Sequence, residues 1–332
     1  MTDKLSILVL ATGNADKLIE TIEKRGHECT LATPWDFDIY LSSSVHGYDS
    51  LYLNGEKLLS SRFDACISRL GKDVEFGGKV IRQLRNKGVF TVQTGEAIDT
   101  CADKFKSAQI MSKAHIRIPR QFYSTDPESA KNLIEKLGGL PVILKELSGS
   151  KGKGLILLES PRQTNMTLES YLGGGRKIIL QEYLDNGGRD ERHIVIDGKV
   201  VNSMERQSPN DDIRANLSLN GTGKPITPDP ETEQMCIDAV AAIPGLNFAG
   251  VDIMKRKDEQ GKDVPYFIEI NSNPGELIID VTGHNHYEDL LDFVERNYKK
   301  KPNGGDASNE QRKEELNFRG HFDSVVGIWV PD

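Results

Sequence analysis

Phe248-Ala249-Gly250-Val251-Asp252-Ile253-Met254 and Tyr266-Phe267-Ile268-Glu269-Ile270-Asn271 decide the reading of this chain, because each is an apolar run interrupted by a carboxylate. Short runs of this composition read as strands. Burying an ionised carboxylate in such a run is costly unless a cation or a donor stands beside it. Glu269 and Asn271 are two apart, and side chains at i and i+2 of a strand share a face, so two oxygen ligands point the same way; Asp252 can join them from the neighbouring strand. Oxygen donors without His or Cys suit a hard ion such as Mg²⁺, which keeps waters and shares its shell with substrate phosphates. The plain alternative for any one of these residues is the polar face of an edge strand; three together favour the ion.

Working outward, Ser148-Gly149-Ser150-Lys151-Gly152-Lys153-Gly154 frees backbone amides to approach phosphate oxygens, and its lysines add charge. It is not a Walker loop, because Leu155-Ile156 follows where Lys-Ser/Thr belongs and the next element reads as a strand. Taken alone, a Gly-rich hairpin turn explains it equally well. Lys145 stands within the apolar strand Val142-Ile143-Leu144, where an anion such as a phosphate would offset its burial. Gln181-Glu182-Tyr183-Leu184, followed by Asp190, offers backbone and carboxylate acceptors for an adenine edge and a ribose hydroxyl. Glu205-Arg206 and Arg214-Ala215-Asn216 bring two guanidinium groups close in sequence, suited to phosphate or carboxylate and equally to surface ion pairs. Gly283-His284-Asn285-His286 lacks a third ligand and reads as a loop or helix start rather than a zinc site. No G-x-S-x-G and no Ser/His/Asp set appears.

The chain has 332 residues, with 42 basic against 50 acidic side chains and a net charge of −8. That sign argues against a free-standing nucleic-acid binder, since any polyanion must meet a local basic cluster. No apolar run approaches the roughly 20 residues of a membrane span, Met1-Thr2-Asp3-Lys4 begins no signal peptide, and the expected location is cytoplasmic. Cys29, Cys66, Cys101 and Cys236 are scattered and read as reduced. Strand-helix alternation over the first part predicts a small parallel sheet covered by helices, with a hairpin turning at Asn54-Gly55. Helices are expected over 77–87, 98–114, 127–137, 231–242 and 287–297, and a second hairpin around Asp197-Gly198. The polar run 299–316 is expected to be mobile. The apolar end from Phe322 to Val330, with Trp329, is expected to dock on its own subunit or a partner.

Taken in order, Ala102-Asp103-Lys104, Lys145, the Gly/Ser loop, Gln181-Glu182-Tyr183, Asp190-Glu191-Arg192, Glu205-Arg206, Arg214-Ala215-Asn216, Val251-Asp252 and Glu269-Ile270-Asn271-Ser272-Asn273-Pro274-Gly275 resemble an ATP-grasp ligase. Within that superfamily the chain is most similar, over residues 5–298, to the RimK branch, which adds glutamate to the C-terminus of a small-subunit ribosomal protein. Phe63-Asp64-Ala65-Cys66-Ile67-Ser68-Arg69-Leu70-Gly71 belongs to the same likeness. The resemblance implies an α/β fold, α+β in its C-terminal half. It divides the chain into a pre-ATP-grasp (Rossmann-like) domain at 1–97, an ATP-grasp central subdomain at 98–180 with its flap at 148–154, a C-terminal subdomain at 181–298 and a tail at 299–332. It implies that Lys104, Lys145 and the flap residues Ser148, Gly149, Ser150, Lys151 and Gly152 hold ATP phosphates. Glu182, Tyr183 and Leu184 would flank adenine and Asp190 the ribose. Asp252, Glu269 and Asn271 would hold two Mg²⁺ ions, with Mn²⁺ as a substitute, while Arg206, Arg214, Ala215 and Asn216 face the phosphates and the reacting carboxylate. Arg69 and Arg192, with Arg62, Lys72 and Arg214, are candidates for a basin that takes the acceptor. The partners implied are L-glutamate, a protein or peptide C-terminus and further copies of the chain. A small-molecule or carrier carboxylate as acceptor, and a non-catalytic ATP-binding regulator, are the alternatives. The chain departs from the pattern by one residue missing between Glu182 and Asp190, by an insertion at 256–263 and by its tail.

Overall fold

The computed structural model describes residues 3–41, 50–59, 61–146, 154–208, 221–299, 320–323 and 328–331. The first part opens with β1 (Ser6–Ala11), α1 (Asp16–Lys24) and β2 (Glu28–Ala32), continues through β3 (Phe37–Tyr40), β4 (Ser50–Leu53) and β5 (Glu56–Lys57), and adds β6 (Ala65–Arg69), α2 (Val74–Asn86), β7 (Phe90–Thr91) and α3 (Gly95–Ala102). Strands β2-β1-β6-β7 form an all-parallel sheet, the arrangement the alternation predicts. The β4–β5 turn falls on Asn54 (φ 52°) and Gly55 (φ 81°), the left-handed pair that a two-residue hairpin requires.

Next come α4 (Lys104–Lys113), β8 (Gln121–Ser124), α5 (Pro127–Leu133), β9 (Val142–Glu146), β10 (Leu155–Leu158), α6 (Pro161–Gly173) and β11 (Ile178–Glu182). Strands β10-β9-β11-β8 make an antiparallel sheet. The single helix expected over 98–114 is two. Asp103 breaks it and caps the second, its Oδ1 accepting from the amides of Phe105 (3.0 Å) and Lys106 (2.9 Å).

The third sheet holds β12 (Arg189–Ile196), β13 (Lys199–Gln207), β14 (Thr222–Pro225), β15 (Phe248–Lys257) and β16 (Asp263–Asn271), in the order β14-β13-β12-β15-β16. Helix α7 (Pro230–Ala241) covers one face, and α8 (Leu277–Thr282) and α9 (Tyr287–Asn297) complete the element order before the hairpin β17 (Gly320–Asp323) and β18 (Ile328–Pro331). The β12–β13 hairpin turns on Asp197 (φ 51°) and Gly198 (φ 70°) as expected. The 256–263 stretch forms the end of the β15–β16 hairpin, where Arg256 pairs with Val264 and Lys257 with Asp263.

One apolar core joins the parallel sheet to the third sheet, with Ile7, Val9 and Ile67 packing in the same cluster as Ile194, Phe248 and Tyr287. Gln93 ties the two together by donating from Nε2 to the carbonyls of Phe248 and Ser272. The expected mobile run 299–316 lies outside the described residues beyond Lys299. No helix among the described residues is long and apolar enough to cross a membrane.

Candidate active site

Cross-strand partners in an antiparallel sheet place their side chains on one face. Asp190 pairs with Arg206, Arg192 with Asp252, Asp252 with Glu269, and Gly250 with Asn271. The register therefore lines Arg206, Asp190, Arg192, Asp252, Glu269 and Asn271 along one face, while the intervening Val195, Val251 and Ile270 turn into the core under α7.

This row is densely paired. Arg192 meets both Asp252 oxygens, Nη2 at 2.6 Å from Oδ2 and Nε on Oδ1. Arg206 holds Asp190 through two bonds of 2.6 and 2.5 Å and reaches Asp252 Oδ2 at 3.1 Å. Burial pushes Asp190 up to about 6 against the pull of Arg206. Burial also works against the Asp252 carboxylate, but Arg192 and Arg206 outweigh it and hold its pKa below the ordinary value.

Lys145, on the facing sheet, donates to Gln181 Oε1 at 2.7 Å. Burial lowers its pKa to about 8, with Glu269 opposing and Lys104 assisting. Those two influences put Lys104, the first residue of α4, and Glu269 of the third sheet around one ammonium. Three sequence-predicted residues thus lie within electrostatic reach of one another.

Among the described residues no set of three His, Cys, Asp or Glu side chains gathers as a metal cluster, so a metal here requires the Asn271 amide oxygen as well. The fit is consistent. Glu269 has no hydrogen bond or ion pair among the described residues, and the buried Asn271 Nδ2 has no partner there. Both lie on the face that carries Asp252, and the donors are all oxygens.

Other expected residues hold different posts. Glu182 gives Oε1 to the Arg120 amide (2.8 Å) and Oε2 to the Arg120 side chain (2.6 and 2.8 Å), so its carboxylate ties β11 to residue 120. Tyr183 and Leu184 follow it at the strand exit. Arg69, a candidate for the acceptor basin, is buried. It is 5% exposed, donates to the Pro274 carbonyl at 2.8 Å and lies over the Tyr287 ring. Arg192 is paired with Asp252. Ser148, Gly149, Ser150, Lys151 and Gly152, and Arg214, Ala215 and Asn216, lie outside the described residues.

His284 pairs with Asp289 at the surface, whereas His286 is buried against Phe248 and Tyr287, so the two do not make a site. A Ser203–His193–Glu191 chain (2.8 and 3.1 Å), invisible in the sequence, lies on the opposite face of the third sheet. Lys255 and Asp229 extend it, and its buried groups satisfy one another as a brace between β12 and β13.

The RimK-like ATP-grasp domain family matches residues 101–294, and the RimK PreATP-grasp domain family matches residues 5–98. A probable alpha-L-glutamate ligase of Methanococcoides burtonii is 35% identical over 286 residues, 85% of this chain and 91% of the relative. One of the same description from Teredinibacter turnerae is 34% identical over 302 residues, 88% and 96% of the two chains. Among solved structures, the ATP-grasp ligase PsnB complexed with minimal precursor, Mg and ADP superposes with a TM-score of 0.67 at 18% identity, covering 90% of this chain and 100% of that one, a likeness of fold.

Proposed function

The chain belongs to the RimK-like ATP-grasp family and is an ATP-dependent ligase, and from that premise we propose that it joins L-glutamate to the C-terminal carboxylate of a protein or peptide. The observation that carries the reading is the Lys145 ammonium on one sheet facing Glu269 on the next, beside Lys104 and in line with Asp252 and Asn271. Cations on one side and oxygen ligands on the other are what a triphosphate with its counter-ion needs.

Amide formation from a carboxylate requires a better leaving group than oxide. An acceptor carboxylate oxygen attacks the γ-phosphorus of ATP, the bond to the β-phosphate oxygen breaks, and ADP leaves. The amine nitrogen of glutamate then attacks the acyl phosphate carbon, and inorganic phosphate and a proton depart. The protein's share is to hold the groups in line and neutralise their charge. Lys104 and Lys145 are assigned to the phosphates, together with the flap residues of 148–154. The strand exit at Tyr183–Leu184 offers backbone to the adenine, and Asp190 is assigned to the ribose. Arg206, Arg214 and Asn216 are assigned to the transferring phosphoryl group. Asp252, Glu269 and Asn271 would hold Mg²⁺, which would supply positive charge to the phosphates. No side-chain nucleophile is needed.

The test is ADP release by purified protein supplied with ATP, Mg²⁺, glutamate and host-lysate polypeptides, with labelled glutamate traced by mass spectrometry. Release that needs both glutamate and polypeptide, with label at a C-terminus, is the expected result. Release driven by a small carboxylic acid alone would move the acceptor to a small molecule, and nucleotide binding without release would remove the ligase assignment.

A further inference from the structure

Asp252 takes two charge-assisted hydrogen bonds from Arg192 and an ion pair at 3.1 Å from Arg206, on a carboxylate that offers about four lone-pair positions. A divalent ion at this carboxylate therefore competes with guanidinium groups already in place. The two arginines are not equally replaceable. Arg206 is also anchored on Asp190 by two bonds, whereas Arg192 has Asp252 as its only hydrogen-bonding or ion-pair partner among the described residues. Repulsion between the ion and the nearer guanidinium thus falls on Arg192.

Its surroundings say where it would act once released. Arg192 crosses Gly250, where an added Cβ would stand 3.2 Å from Arg192 Cδ, 3.6 Å from its Nη1 and 2.8 Å from Pro274 Cβ. The guanidinium lies between the metal-bearing strand and the 272–275 loop. A cation left half-buried there needs an anion; the phosphates are already given to Lys104, Lys145 and Arg206, and the remaining anions the reaction brings are carboxylates.

We propose that Arg192 is a positioning residue that exchanges Asp252 for a substrate carboxylate when the metal nucleotide binds, so that nucleotide loading prepares the site for its second ligand. This rests on the ligase reading above. A permanent brace between β12 and β15 would explain the same ion pair, and the experiment separates the two.

Mn²⁺ binding in saturating ADP is followed by electron paramagnetic resonance for the wild type, Arg192→Met and Arg192→Lys. Exchange predicts that Arg192→Met tightens Mn²⁺ by at least about fivefold, the lower end of ordinary coupling between sites, with Arg192→Lys in between. Arg206 still pairs with Asp252 in both variants, and circular dichroism verifies the fold. Unchanged or weaker Mn²⁺ binding in Arg192→Met overturns the exchange. In a second arm, calorimetry measures L-glutamate and a short peptide with a free or amidated C-terminus, with and without Mg-ADP. Affinity gained with Mg-ADP in the wild type and lost in Arg192→Met supports the release; a gain for glutamate assigns the anion to the amine donor, and a gain for the free-ended peptide alone assigns it to the acceptor. No gain in the wild type overturns the release. Failure of the wild type to take up Mn²⁺-ADP sinks the ligase reading, while uptake indifferent to Arg192 sinks only this inference.

Discussion

Replacing Asp252 with Asn keeps the shape of the side chain and one acceptor oxygen while removing its charge. Arg206 then keeps Asp190, whereas Arg192 loses its one carboxylate partner among the described residues. Breaking a buried pair costs about 3–5 kcal/mol. The Arg192 side chain is 14% exposed and the retained oxygen still accepts one bond, so the lower end, about 3 kcal/mol, applies. Against an ordinary total of 5–15 kcal/mol the variant stays folded with a visibly lower urea midpoint. Its rate should fall on the order of 10²- to 10³-fold, about 2.7–4 kcal/mol of transition-state stabilisation. The two losses separate in Arg192→Met/Asp252→Asn, where charge balance returns: the urea midpoint should recover more than half of its shift while ADP release stays low. A folded Asp252→Asn protein that turns over at near the wild-type rate would refute the role given to this carboxylate. Recovery of turnover together with stability in the double variant would show that only the ion pair mattered.

Four further outcomes follow from the structure. Lys145, lowered to about 8 in the fold against 10.5 ordinarily, loses its charge as pH rises through 8, so Mg-ADP affinity should fall about tenfold between pH 7 and 9; in Lys145→Arg it should be flat over that range, and an equal pH dependence in both would clear Lys145. Because the unfolded chain binds the extra proton between those two values, the ligand-free protein should gain stability as pH rises across that window, read by urea unfolding against the same Arg variant. Gly245 sits at φ +78°, and a Cβ there would stand 2.4 Å from Thr94 Cγ2, so Gly245→Ala should cost about 1–3 kcal/mol in thermal or urea unfolding, and a neutral result would show that the Thr94 contact yields freely. Arg69→Met removes the donor to the Pro274 carbonyl, costing about 1–3 kcal/mol, and should weaken Mn²⁺ uptake several-fold by loosening the loop that follows Asn271; unaltered uptake would make Arg69 purely a domain tie.

Much of this was legible wherever the signal was local. Asn54-Gly55 and Asp197-Gly198 marked their turns because both residues adopt positive φ, and the metal-bearing strands stood out because a carboxylate interrupts an apolar run. Helix α6 escaped notice although Ser160 caps it and Pro161 opens it, because Thr164, Asn165, Thr167 and Ser170 weaken its helical pattern. What the sequence hid was long-range pairing. Arg192 and Asp252 are 60 residues apart, and Arg120 and Glu182 are 62 apart. Composition does not distinguish an arginine that meets substrate from one that meets a carboxylate. For that reason the sequence offers Arg69 as a candidate for the acceptor basin, while its burial and its bond to the Pro274 carbonyl are visible only in the fold.

The i, i+2 rule that pointed to Glu269 and Asn271 would also place Phe267 on their face, which would set an aromatic ring among the ligands. The pairing shows how this is avoided. Asp252 opposes Glu269, but Ile253 opposes Phe267, so Ile268 is an extra residue on β16 and the alternation restarts there. Phe267 turns into the same core as Ile253 and Ile270, and Glu269 and Asn271 keep the face shared with Asp252. A sheet without that bulge would have to choose between a continuous core under α7 and a row of oxygen ligands, since a one-residue slip moves every side chain to the other face. The irregularity therefore sits where the strand passes from core to site, one residue before its first ligand.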